Sequence, residues 1–123
     1  MVTIGIIKAL GDENRLRILN LLFCQELCVC EMEGILSMTQ SNISRHLSKL
    51  TATGVTKYRK EAKYIYYRLD EETMKKHPFL AEVVVDLRDE EIYKHDLNIL
   101  KEYMTHGYTC DNIKDKIVLF MNS

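Results

Sequence analysis

Residues 39–50 have the sequence Thr-Gln-Ser-Asn-Ile-Ser-Arg-His-Leu-Ser-Lys-Leu, and this stretch decides the fold. Thr39 is a residue type that caps the start of a helix, and Ile43 and Leu47 recur at helical spacing. Gly54 follows as a helix-ending residue. The stretch therefore predicts a helix with one apolar face, and it contains no acidic residue.

The outward positions of this helix carry short polar and basic side chains. A solvated surface helix more typically carries Glu and Lys pairs, whereas acidic groups would repel a phosphate backbone. Such side chains hydrogen-bond to base edges and phosphates, and the first turn of a DNA-reading helix enters the major groove. The candidate DNA-binding residues are Gln40, Ser41, Asn42 (the base-reading candidates), Ser44, Arg45, His46 and Lys49.

The segments on either side of this helix have the patterns of a short helix before it and a hairpin after it. A short helix with Val29, Met32 and Leu36 on one face precedes the tight connection 37–39, and two helices so joined indicate a helix-turn-helix. The segment 64–69 alternates in polarity, which predicts a hairpin with the preceding segment and hence a wing. The candidate phosphate-binding residues of the wing are Lys57, Arg59, Lys60 and Lys63. The alternative is that the lysines only keep the hairpin soluble.

We therefore expect a mainly α fold with a small β-hairpin, a winged helix-turn-helix with the order α-α-α-α-β-β-α. Residues 1–104 form the DNA-binding and dimerisation domain, and residues 105–123 form a C-terminal extension. The apolar stripes between residues 80 and 104 exceed what one small core needs, so they predict a homodimer seam together with the first helix. A core within one chain is the alternative, and continuity of the last helix through 88–91 stays open.

Bulk composition limits the function classes. A net charge of −1 and a pI near 6.4 argue against a general polycation, so a nucleic-acid surface must be local. No basic leader and no run of about 20 apolar residues is present, and we expect a cytoplasmic chain without a membrane partner. No phosphate loop or nucleophile-base-acid constellation indicates an enzyme. A domain that binds only proteins would make the polar helix and basic hairpin coincidental.

Three of the four cysteines, Cys24, Cys28 and Cys30, lie within seven residues, and Cys110 stands far away. Such clustering in a reducing compartment indicates a metal or redox site. Cys28 and Cys30 stand at a predicted helix N-terminus, where the helix dipole should depress the pKa of both thiols. Positions two apart on a regular helix point roughly 200° from each other. One ion could then hold both sulfurs only by unwinding that turn, which would strain the DNA-reading helix and favour release.

Four segments together form a recognisable pattern: Asp-Glu-Asn-Arg-Leu-Arg-Ile-Leu (12–19), Glu-Leu-Cys-Val-Cys-Glu (26–31), Ser-Asn-Ile-Ser-Arg-His-Leu-Ser-Lys-Leu (41–50) and Tyr-Tyr-Arg-Leu (66–69). In these segments the chain resembles the ArsR/SmtB metal-responsive repressors. The resemblance implies a homodimer that binds an inverted-repeat operator on double-stranded DNA when apo and releases it on binding an ion. The cysteine segment is typical of the As(III)- and Sb(III)-responsive branch, and Cd(II) and Pb(II) sensors share it.

One position departs from the arsenic sensors, which carry a third cysteine where this chain has Glu33. Because trivalent arsenic prefers three thiolates, the third must come from Cys24, Cys110 or a small exogenous thiol. We prefer Cys24, which stands one helical turn before Cys28. A redox or persulfide switch between Cys24 and Cys110 is an alternative that requires their Cα atoms within about 7 Å. The zinc site that this family builds on the C-terminal helix is poorly matched, because Arg88 stands where a histidine is needed.

Overall fold

A computed structural model describes residues 2–106 of the chain. The expected mainly helical, winged helix-turn-helix architecture is confirmed, and the last two helices are separate, so the open question at 88–91 is answered by a break. The helices are α1 (Val2–Ala9), α2 (Glu13–Leu22), α3 (Val29–Leu36), α4 (Gln40–Ala52), α5 (Glu71–Lys76), α6 (Phe79–Leu87) and α7 (Glu91–His106). The strands are β1 (Leu27–Cys28), β2 (Thr56–Glu61) and β3 (Tyr64–Leu69).

The helix-turn-helix consists of α3 and α4. Residues in the turn itself determine where α3 ends and where α4 begins. Ser37 ends α3 with φ 55°, a left-handed conformation that reverses the chain within a few residues. Thr39 caps α4 as predicted, because its hydroxyl accepts a hydrogen bond from the Asn42 backbone N–H at 3.2 Å. The inward side chains Ile43 and Leu47 are fully buried, which fixes the face that α4 turns outward.

The sheet has three strands rather than the two of the expected hairpin. β2 and β3 form the wing, from Thr56 opposite Leu69 to Glu61 opposite Tyr64. β1 adds an antiparallel edge on the other side of β3, with Leu27 opposite Tyr67 and Cys28 opposite Tyr66. A two-residue strand is too short to produce a period-two pattern, so the sequence did not reveal it.

The C-terminal helix α7 is joined to α2 by a buried ion pair. Arg17 of α2 donates to both carboxylate oxygens of Asp96 at 2.8 and 2.9 Å, and its third hydrogen bond reaches the Leu36 carbonyl at 3.2 Å. Asp96 is completely buried. Arg17 thereby joins α2, the end of α3 and α7 in one network. Within residues 2–106, no helix is long and apolar enough to cross a membrane.

The expected boundary at residue 104 falls inside α7, which continues to His106. Residues 107–123, and with them Cys110 and nearly all of the expected extension, lie outside the described residues.

Replacing Asp96 with Ala should lower the free energy of unfolding by about 3–5 kcal/mol, because it leaves the Arg17 guanidinium largely buried without its counter-charge. Urea unfolding at a fixed protein concentration measures the loss. The matched control Asp86→Ala, at an exposed position of α6, should change the same quantity by no more than about 0.5 kcal/mol. Similar losses for the two variants would show that the pair does not hold α7 in place.

Candidate functional site

The outward face of α4 presents most of the predicted DNA-binding side chains. Gln40, Ser41, Arg45 and Lys49 are exposed, and Asn42 and Ser44 are half-buried. Arg45 donates to the Asn42 side-chain oxygen at 2.9 Å, so these two candidates hold each other in place on the outward face. No acidic side chain of α4 interrupts this surface.

His46 is a correction to the predicted DNA-binding set. Its side chain is only 4% exposed and lies under α4, with Nδ1 3.5 Å from an Arg15 guanidinium nitrogen. Among residues 2–106, no hydrogen-bond partner reaches its buried Nε2. The signal was present in the sequence, because His46 follows Ile43 by three residues and therefore shares its inward face. Burial lowers the pKa of His46 below its ordinary value of 6.5.

The lysines of the wing face solvent to different degrees, whereas Arg59 forms an ion pair with another residue of the chain. Lys60 and Lys63 are exposed at the tip, and Lys57 is half-buried. Arg59, in contrast, forms an ion pair with Glu26, whose carboxylate lies 2.7 Å from a guanidinium nitrogen. The sequence prediction of Arg59 as a phosphate contact missed this partner, which stands 33 residues earlier in the chain.

Cys28 and Cys30 lie side by side, and the prediction that their sulfurs point in opposite directions is wrong. Cys28 is the N-cap of α3 and has an extended backbone (φ −88°, ψ 166°), because it is also the last residue of β1. Cys30 is the second residue of α3. The helical geometry therefore does not apply between them, and their Sγ atoms are 3.2 Å apart. The two sulfurs therefore lie together without any unwinding of α3. Cys30 is disulfide-bonded in this structure, so it offers a thiolate to an ion only after reduction.

The predicted depression of the Cys28 pKa is also wrong. Its side chain is 2% exposed, and this burial raises the pKa of the thiol to about 11. The nearby Glu31 carboxylate contributes in the same direction, although a backbone hydrogen bond at the helix start opposes it. Removal from water thus outweighs the helix N-terminus.

Glu31 connects the cysteine pair to the C-terminal helix. Its carboxylate accepts the Cys28 backbone N–H at 2.8 Å, which closes the first turn of α3. The Tyr103 hydroxyl of α7 donates a hydrogen bond to the other carboxylate oxygen of Glu31. Hydrogen bonds of a single side chain, Glu31, therefore join the backbone of Cys28 to α7.

A pocket of about 310 Å³ opens beside the two cysteines and reaches the DNA-binding surface. Its walls come from the start of α3, the first residue of α4 and the tip of the wing. Gln40 and Lys63, both predicted DNA contacts, face the same pocket as Cys28 and Cys30. The full lining is Cys28, Val29, Cys30, Glu33, Gln40, Lys63, Tyr64 and Ile65.

Cys24 does not join this pair, which corrects the predicted third ligand. Its exposed sulfur lies 3.1 Å from the Arg88 guanidinium and lines a different pocket, with Leu97 and Leu100 of α7. Over the part of the chain that the structure describes, no three His, Cys, Asp or Glu side chains converge on one metal position. Cys110, the competitor for that role and the proposed redox partner of Cys24, lies outside the described residues.

A winged helix-turn-helix with an acid-free α4 and a basic wing tip defines a DNA-binding domain. The pattern described as "Bacterial regulatory protein, arsR family" matches residues 12–58. The arsenic resistance transcriptional regulator ArsR1 of Pseudomonas putida is 36% identical over 86 residues, which are 69% of this chain and 67% of that protein. The chain belongs to the ArsR family of bacterial regulatory proteins, which are DNA-binding transcription factors and not enzymes.

Other relatives and solved structures agree with this assignment. A cadmium resistance transcriptional regulatory protein CadC homolog of Staphylococcus aureus is 42% identical over 71 residues, or 57% of this chain and 59% of that protein. The chain thus spans about three fifths to two thirds of these curated relatives. The homodimeric winged helix-turn-helix domain of Mb0332 from Mycobacterium bovis superposes with a TM-score of 0.61 at 30% identity, covering 71% of this chain and 81% of that one. Reduced HlyU from Vibrio cholerae superposes with a TM-score of 0.60 at 31% identity, covering 72% of this chain and 86% of that one.

The buried His46 predicts a stability that falls as the solution becomes more acidic. Because its pKa is lower in the folded chain than in the unfolded one, the unfolded state binds more protons once the pH drops through about 6.5. The free energy of unfolding should therefore decrease between about pH 7 and about pH 5. The charged groups around His46 are Asp12, Arg15, Arg45 and Lys49; Asp12 favours its protonation and the three cations oppose it.

Urea unfolding at several pH values tests this, with His46→Gln as the variant that cannot titrate in this window. Its stability should depend less on pH than that of the wild type. His95→Gln is the matched control, because it makes the same replacement at an exposed position of α7. An unchanged slope in His46→Gln would contradict the assignment.

Proposed function

We propose that this chain is a homodimeric transcriptional repressor that binds operator DNA when apo and releases it when Cys28 and Cys30 bind a thiophilic ion. The observation that carries the proposal is the Sγ pair, 3.2 Å apart, in a pocket that it shares with Gln40 and Lys63. As(III) or Sb(III) is the proposed inducer, and Cd(II) or Pb(II) is the alternative. Relatives named for arsenic resistance and for cadmium resistance support this pair of choices.

The donor chemistry of the pair fits a soft ion. Thiolates select thiophilic ions over hard cations, and metal–thiolate bonds of about 2.3 Å allow two sulfurs at this separation to share one ion. For a third thiolate we propose Cys110, since Cys24 lies apart and Cys110 is the remaining cysteine of the sequence. Cys28 must lose its proton on binding, so ion capture replaces a buried S–H.

Two short connections support coupling between the pair and DNA. Cys28 belongs to β1, whose ladder joins it to Tyr66 in the wing. Gln40, the first residue of α4, lines the same pocket. A ligand shifts a binding equilibrium only by its differential affinity for the two states. Displacement of either wall by the ligand would supply that difference, because both walls carry proposed DNA contacts.

The proposed homodimer rests on exposed apolar side chains and on related structures. Val2, Ile4 and Ile7 of α1 and Met104 of α7 each expose more than half of their surface. The related domain of Mb0332 is homodimeric. A two-fold dimer places two copies of α4 about one DNA turn apart, so it matches an inverted repeat with half-sites separated by about 34 Å.

Substitutions in α4 and in the wing should affect DNA binding differently. Asn42→Ala should relax base preference, with about 1–3 kcal/mol less discrimination at one position of each half-site. Lys63→Ala should weaken binding to operator and random duplexes alike and lower the salt slope by about 0.9 for each phosphate that the variant no longer neutralises. Fluorescence anisotropy at several salt concentrations measures both, with an operator selected from a random library, and its stoichiometric end point should give two chains per duplex.

Lys94→Ala is the control for removal of one positive charge, since Lys94 is exposed on α7. It should change neither affinity nor slope appreciably. Equal effects of Asn42→Ala and Lys63→Ala on operator and random DNA would contradict the division into base-reading and phosphate-binding residues.

The ion response should depend on both cysteines of the pair. Arsenite should release wild-type protein from operator DNA, and Cys28→Ser or Cys30→Ser should need at least about tenfold more arsenite while still binding DNA. Titrations with arsenite and then with cadmium, followed by anisotropy, decide the ion. Cys24→Ser should respond as the wild type does, and Cys110→Ser tests the proposed third ligand. Release that survives both substitutions, or no release by any thiophilic ion, would overturn the sensing proposal.

A further inference from the structure

Glu26 accepts several hydrogen bonds from Arg59, the one arginine of β2. The Arg59 Nε donates to both carboxylate oxygens at 3.1 Å, and an adjacent terminal nitrogen donates to one of them at 2.7 Å. Arg68 of β3 approaches the same carboxylate at 3.4 Å. Glu26 stands in the connection between α2 and β1, so it bridges the start of the cysteine strand to both strands of the wing.

The Arg59 guanidinium has contacts besides Glu26, although it is exposed to solvent. It lies 4.7 Å from the centre of the Tyr66 ring, and its remaining terminal nitrogen contacts Glu61 at 3.3 Å. Its side chain is 43% exposed and that of Glu26 is 27% exposed. Arg59 keeps the pKa of Glu26 below its usual value, so the pair is fully charged at neutral pH.

A carboxylate bound in this way uses the same donors that a DNA phosphate would use. The guanidinium fork matches the geometry of carboxylate and phosphate equally well, and each occupies the Nε and terminal nitrogen edge. An ion pair at the protein surface contributes little to stability, because water and salt screen its charges. Glu26 can therefore be exchanged for another anion without unfolding the wing.

We propose that Glu26 is an intramolecular competitor of DNA phosphate that keeps Arg59 out of the DNA interface and thereby limits the affinity of the chain for DNA. The inference rests on the proposed DNA binding and is independent of the ion. The wing then binds phosphate through Lys57, Lys60 and Lys63, while its arginines stabilise the join between β1 and the sheet.

Release of Arg59 should add one phosphate contact in each protomer. Each contact releases counterions and steepens the dependence of log K on log salt by about 0.9. Glu26→Gln should therefore bind a random-sequence duplex several-fold more tightly at low salt, with a slope steeper by about 0.9 per protomer. The gain should shrink by about threefold for each added phosphate contact between about 50 and about 200 mM salt.

A double-mutant cycle with Arg59→Ala tests whether the gain comes from Arg59. In the Glu26→Gln background, Arg59→Ala should remove the gain in affinity and the extra slope. In the wild-type background the same substitution should change affinity by no more than about twofold, because Arg59 is bound to Glu26 there. Anisotropy with the random duplex over a salt series gives all four values. Circular dichroism and urea unfolding verify that each variant is folded.

Glu82→Gln on α6 is the matched control, because it removes the same charge at an exposed position away from the wing. An equal gain from Glu82→Gln would reduce the effect to net charge and overturn the inference. Weaker binding by Glu26→Gln would mean that Glu26 positions the wing for DNA, and a large decrease in affinity from Arg59→Ala alone would mean that Arg59 already binds phosphate. Either result overturns the competitor role while leaving DNA binding intact, whereas no DNA binding by the wild type would refute the proposed function itself.

Discussion

The backbone pairing of β1 with β3 is the constraint on which the thiol site depends. Because Leu27 and Cys28 pair with Tyr67 and Tyr66, Cys28 is extended and cannot be the first residue of a regular helix. The chain then turns directly into α3, which brings Cys30 back beside Cys28. The same two-residue ladder fastens the site to the wing. The short edge strand β1 therefore places the two sulfurs together and connects them to the wing.

Burial gives Cys28 its chemical character. A thiol at a helix N-terminus in water would ionise readily, but Cys28 is almost completely removed from solvent and its pKa rises to about 11. The Cys28 sulfur therefore carries no standing negative charge at neutral pH. In the proposed sensor, Cys28 would favour ions whose bonds to sulfur are strong enough to displace a proton, which are the soft thiophilic ions.

Periodicity predicted the helix-turn-helix, the wing and most of the outward residues of α4, because each element is long enough to repeat its pattern. The features that the sequence did not predict are those that leave no periodic pattern in it. β1 has two residues, and Glu26 and Arg59 are 33 residues apart. Clustering in sequence identified the cysteines but not their geometry, since Cys24 turns toward Arg88 and α7. His46 is different, because its spacing from Ile43 already indicated an inward position.

The short distance between the thiol pocket and the DNA surface bears on how large a structural change the response requires. Gln40 and Lys63 line the pocket and also belong to the proposed DNA interface. A coupling free energy of about 1–3 kcal/mol is typical of allosteric proteins, and about 1.4 kcal/mol corresponds to a tenfold change in affinity. Removal of one base-reading or phosphate-binding side chain from each half-site supplies a change of that size. In the proposed repressor, a small displacement of two pocket walls would therefore be sufficient for release, without rearrangement of the core held by Arg17 and Asp96.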